Sequence, residues 1–96
     1  MFKWLNKTGV ENDRGFAVQS IDRFTVEYRE AEKKVSVYVE NGFCEGYKPC
    51  VIIEPSAFQR WDGDPSYVSL PEEKQDEMME NFTEAMEFQG IAVVTG

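Results

Sequence analysis

The chain has 96 residues, with 18 acids, 10 bases and no histidine, for a formal net charge of −8. That length suits one small core and not two, while 42% hydrophobic and 14% aromatic content is too apolar for a disordered segment. The charge excludes a general attraction to DNA, RNA or an anionic membrane surface, and the missing histidine removes the commonest general base and metal ligand.

Residues 1–14 mix charge, Asn and Gly without a clear period and read as a loosely held arm. The apolar start Met1-Phe2 is broken at once by Lys3, so it makes no signal-peptide core, and no stretch approaches the roughly 20 apolar residues of a membrane span. A cytoplasmic location is the expectation. Phe16 to Ile21 reads as a short strand. Phe24, Val26 and Tyr28 then alternate with polar neighbours, as do Val35, Val37 and Val39, which predicts two strands with one buried face. The short charged linker Glu30 to Lys34 joins them as an antiparallel hairpin. Asn41-Gly42 reads as a turn, with Gly46 extending the break. Cys50 to Ile53 reads as a more central strand, and Ala57 to Trp61 as either a helical turn or a strand continuation. Asp62-Gly63-Asp64-Pro65 reads as a firm turn.

A helix is predicted over about 70–89. Ser69 and Glu72 have the spacing of a capping box, Pro71 falls in the first turn and Gly90 suits the C-terminal cap. Met78, Met79, Phe82, Ala85 and Met86 recur at the spacing of a buried helix face. Ile91 to Thr95 closes the chain as a β-branched strand. The expected fold is α+β, a single small acidic domain over residues 1–96. It has a mainly antiparallel sheet of about five strands, with one long C-terminal amphipathic helix packed on one face.

The acidity is concentrated on that helix. Residues 1–34 carry a net +1, residues 35–70 a net −3 and residues 71–96 a net −6. At about 100° per residue, Glu73, Glu77, Glu80, Glu84 and Glu87 fall within an arc of about 80°, opposite the methionine stripe. Like charges four residues apart disfavour a helix, and acids near its C-terminus oppose the helix dipole. The row reads either as a solvated face that aids solubility or as an anionic surface that docks on a basic partner. Phe88 projects beside the row as an apolar anchor or packs on a neighbouring strand. Trp61, next to Arg60, either seals the core edge or serves as an exposed hot spot, and Tyr38 and Tyr47 fit either role.

The candidates for chemistry are weaker. Asp62-x-Asp64 has metal-ligand spacing without the further oxygen ligands of a calcium loop. Ser56 and Ser69 have no histidine to activate them. Cys44 and Cys50 are expected as two free thiols, without the ligands of a zinc site. No catalytic residue, metal or cofactor is expected, and exposed sheet edges leave homodimerisation open.

From Val51-Ile52-Ile53 the order runs through Pro55-Ser56, Trp61 before an acidic proline-containing turn, and Leu70-Pro71-Glu72-Glu73-Lys74. It continues through Phe82, Ala85 and Met86 to Phe88-Gln89-Gly90 and a terminal Ile-x-Val-Val strand. This pattern, over about residues 35–95, resembles the immunity protein 74 family, small bacterial proteins of polymorphic toxin systems. The resemblance implies a non-enzymatic role, binding a toxin and blocking it. Many nucleic-acid-attacking toxins are basic, so the partner implied is a basic toxin domain. The alternative is a small-molecule-binding or accessory module, with an apolar pocket between helix and sheet lined by Met79, Phe82 and Val37.

Overall fold

The computed structural model describes residues 1–65 and 68–96. The architecture is α+β, with a five-stranded antiparallel sheet, a second small sheet and one C-terminal helix packed against the sheet. Period-two alternation produces most of the strands. The first sheet runs β1 (Phe2–Asn6), β2 (Gly9–Asn12), β3 (Phe16–Asp22), β4 (Thr25–Glu30) and β5 (Lys33–Tyr38), each antiparallel to the next. Val10, Phe16, Val18, Val26, Tyr28, Val35 and Val37 point to one side and are buried. The other face is mainly polar, as expected where only one face of an antiparallel sheet meets the core. Glu27 lies there, pinned by Arg29 at 2.6 Å and Lys34 at 3.5 Å.

A single residue, Val39, separates β5 from β6 (Glu40–Cys44), so one bent strand passes from the first sheet into the second. At the bend the Val39 amide donates to the Phe24 carbonyl, and the Asn41 side chain donates to the Arg23 carbonyl. The second sheet is β6, β7 (Lys48–Ile53) and β8 (Ala92–Thr95), with β7 antiparallel to β6 and parallel to β8. Val51 and Ile53 join the core of the first sheet, so one cluster serves both. Between β7 and the helix, Phe58 is 1% exposed and stacks edge-on against Tyr28. The loop then latches onto the β5 edge, where Asp62 Oδ2 accepts from the Ser36 amide at 3.0 Å and the Ser36 hydroxyl at 2.6 Å.

The helix α1 (Glu72–Phe88) buries Met78, Asn81, Phe82, Ala85 and Met86, with Met79 at the margin. Its C-terminus is a complete Schellman motif. Gly90 sits at φ +83°, its amide donates to the Glu87 carbonyl at 2.9 Å, and the Ile91 amide donates to the Met86 carbonyl at 3.0 Å.

The structure corrects four expectations. Residues 1–14 are no loose arm: they form β1 and β2, which extend the antiparallel ladder from β3. Asn41-Gly42 lies inside β6, opposite Val51 and Cys50. The reversal falls instead at the 3-10 turn Glu45–Tyr47, where Gly46 supplies φ +75° and Tyr47 adopts φ +60°. Ser69 caps nothing. Pro71 is the N-cap residue and makes no side-chain cap bond, because the residue before a proline is pushed to extended backbone and Leu70 cannot enter the helix. The Ala57–Trp61 segment is neither alternative but a run of turns, with the Ala57 amide on the Glu54 carbonyl and the Gln59 amide on the Ser56 carbonyl.

Phe82 is fully buried, with its ring centroid 5.5 Å from that of Phe58. Phe82→Ala is expected to lower unfolding free energy by about 3–5 kcal/mol in denaturant titration. Glu80→Ala, on the solvent side, should change it by less than about 0.5 kcal/mol.

Candidate partner-binding site

The helix seats its apolar stripe on the sheet, so the glutamate row faces outward, but not evenly. Around the helix, Glu77, Glu84 and Phe88 lie on the flank toward Asn81. Asn81 is buried and donates its Nδ2 to the Tyr28 hydroxyl at 3.1 Å, which turns that flank toward the first sheet. Bases of the domain reach the glutamates there. Arg14 pairs with Glu84 at 2.6 Å, and Lys74 lies 3.5 Å from Glu77. On the opposite flank Glu73, Glu80 and Glu87 are exposed and make no ion pair among the described residues. Asp76, exposed on the same flank, extends this ridge.

Lys74 is held mainly by Glu30, at 2.7 Å, and that contact raises its pKa above the usual lysine value against the opposing effect of burial. Glu30 Oε2 also accepts from the Tyr28 hydroxyl. Burial and this neighbour push Tyr28 far above the usual tyrosine range, although the Asn81 bond acts the other way. The Tyr28–Glu30–Lys74–Asn81 network therefore ties β4 to the helix.

Phe88 packs on the first strand. Its ring lies 5.2 Å from Phe2 and 5.6 Å from Trp4, and Phe2 in turn meets Phe16 edge-on at 5.8 Å. Phe88 and Trp4 keep about half of their surface, 45% and 52%, in solvent. An aromatic step thus stands at the C-terminal end of the helix, next to Glu84 and Glu87. Trp61 is placed elsewhere. It stacks on Tyr28 at 6.5 Å, beneath the Lys33 ammonium at 5.9 Å, and is half-buried at the core edge. The seven residues singled out from sequence therefore divide into an unpaired ridge (Glu73, Glu80, Glu87), a paired flank (Glu77, Glu84, Phe88) and Trp61 by itself.

The pairing of Glu84 and the exposure of Trp4 were not visible in sequence, because both depend on where residues 1–14 run. Asp76 was within reach: it lies about 60° from Glu73 on a helical wheel. The residues expected to line a ligand pocket belong to the core or pack against it. Val37 and Phe82 are at most 1% exposed, and Met79 packs against the same core. Asp62 spends its carboxylate on Ser36, and no group of three or more metal-ligating side chains occurs among the described residues. No helix among the described residues is long and apolar enough to cross a membrane.

Trp61→Ala is expected to lower unfolding free energy by about 2–4 kcal/mol, read by denaturant titration, since the ring covers Tyr28. Arg14→Ala should cost less than about 1 kcal/mol, because that ion pair is solvent-screened.

The comparisons with known proteins found no matching family model, no matching curated sequence and no matching solved structure.

Proposed function

We propose that this chain is a non-enzymatic acidic binding protein that neutralises a basic toxin domain, in the manner of a bacterial immunity protein acting in the cytoplasm. The observation that carries the reading is the Glu73–Asp76–Glu80–Glu87 ridge. Among the described residues it makes no ion pair, although the chain has ten bases. Five of the six ion pairs among the described residues join groups within the strands and their turns, or tie these to the helix, which leaves the Glu73–Glu87 flank of the helix anionic. Such a surface steers a cationic partner and speeds encounter. Trp4 and Phe88 supply the apolar contact that electrostatics alone does not, and aromatic residues of this kind dominate interface energies. Glu77 and Glu84 contribute less, since docking on them would first displace Lys74 and Arg14.

The test is association kinetics with a basic toxin domain of the kind this reading implies. Wild-type association should slow steeply as salt rises. A Glu73→Lys/Glu80→Lys/Glu87→Lys variant should fold and associate at least about tenfold more slowly at low salt. Wild-type kinetics in that variant would remove the helix from the interface.

One observation favours a small-molecule module as a second reading. An open cleft of about 370 Å³ lies where the two sheets meet, with Val26, Val39, Val51, Met86 and Ile91 on its floor and Asp22, Arg23 and Asn41 on its rim. A compound that is seated there should raise the melting temperature in proportion to the logarithm of its concentration above Kd. The gain should vanish in Arg23→Trp, which covers the cleft from its exposed rim. A flat response across a library of small amphiphiles argues against this reading.

A further inference from the structure

The two cysteines take no part in the ridge, the aromatic step or the cleft. In the β6–β7 ladder Gly42 stands opposite Cys50 and Cys44 opposite Lys48. Cys44 and Cys50 therefore share one face of the second sheet as diagonal neighbours. It is the face turned from the core, since Val51 and Ile53 alternate with Cys50 and belong to the core cluster. Gly42 leaves the space on β6 beside Cys50 unfilled: a β-carbon there would stand 3.9 Å from Cys50 Sγ. The two thiols interact, and the Cys44 thiol, together with burial, holds Cys50 above the usual thiol pKa. Cys50 is 5% exposed, whereas Cys44 is only half-buried.

We propose that Cys44 and Cys50 form a dithiol modification site, which a small disulfide of the glutathione class converts into an intrachain disulfide between β6 and β7. Cys44, the accessible member, attacks one sulfur of the reagent as its thiolate. The reagent's S–S bond breaks, and one glutathione thiolate leaves and takes up a proton. Cys50 then gives its proton to water and attacks Cys44 Sγ, which expels the second glutathione thiolate. Two protein thiols are oxidised, and one glutathione disulfide is reduced to two thiols. Because the Cys50 thiol is held above the usual value, this second step speeds as pH rises.

Diagonal Cα atoms lie about 7–8 Å apart, wider than an unstrained disulfide spans, so closure requires the hairpin end to shear. The segment between the cysteines is the turn Glu45–Tyr47, whose Gly46 and Tyr47 are both left-handed. A bond closed under strain is readily reduced, which makes the modification reversible. Closure staples the tip that displays Phe43 and Tyr47, which are 74% and 88% exposed.

The experiment treats the full chain with oxidised glutathione at mildly alkaline pH, quenches with an alkylating reagent and reads intact mass. Wild type should lose two hydrogens, take up no alkyl group and return to the dithiol with dithiothreitol. Cys50→Ser should stop at one glutathione adduct, and Cys44→Ser should react about tenfold more slowly than wild type. A wild-type chain that keeps two alkylatable thiols, stops at a glutathione adduct or links two chains overturns the proposal. So does Cys44→Ser reacting at the wild-type rate. The wild-type result decides ring closure even if a variant fails to fold.

Discussion

The seating of one helix on one sheet sets most of what this domain presents to solvent. Met78, Phe82, Ala85 and Met86 fill the space over Val18, Val26, Tyr28 and Val37, so the helix has a single buried stripe and no freedom to roll. The Asn81–Tyr28 bond narrows the angle further. A buried amide and a buried hydroxyl each lose water on folding, and satisfying one with the other penalises any rotation that parts them. Once that angle is set, the acids of the helix divide into a flank that meets the domain's own bases and an exposed flank that makes no ion pair among the described residues.

That division carries the functional argument. A helix with one lysine and seven acids is under electrostatic strain by itself. The fold relieves this strain selectively, through Arg14 on one glutamate and Lys74 on another. The remaining acids make no ion pair among the described residues, and a partner with complementary charge would relieve them. The aromatic pair Trp4–Phe88 sits where the relieved flank ends, so apolar and anionic surface adjoin. Trp61 lies at the core edge, held by Tyr28 and Lys33. Its energy is therefore spent first on the fold.

The chain resolves the junction of its sheets with little material. One strand, bent at Val39, serves both sheets, and β8 returns beside β7 after the helix. The parallel β7–β8 pair requires a crossover, and the Asp62 latch, Phe58 and α1 make up that connection. It leaves two features off the core: the cleft at the corner, and the outward face of the small sheet where the thiols lie.

Local chemistry was legible in the residues. Alternation identified β4 and β5, short apolar runs pointed to β3 and β7, and the methionine–phenylalanine spacing identified α1 together with the side it buries. Gly90 marked the helix end, because only a residue free at positive φ completes that cap without strain. These signals act over a few residues, so they survive without the rest of the chain. What the tertiary structure alone decided depends on distant partners. Residues 1–14 have no periodicity of their own and become strands because β3 offers them a free edge. Asn41-Gly42 has turn chemistry and is extended because β7 pairs with it. Whether a glutamate on the helix stands bare or neutralised was set by an arginine 70 residues away, and only folding brings such a pair within reach of each other.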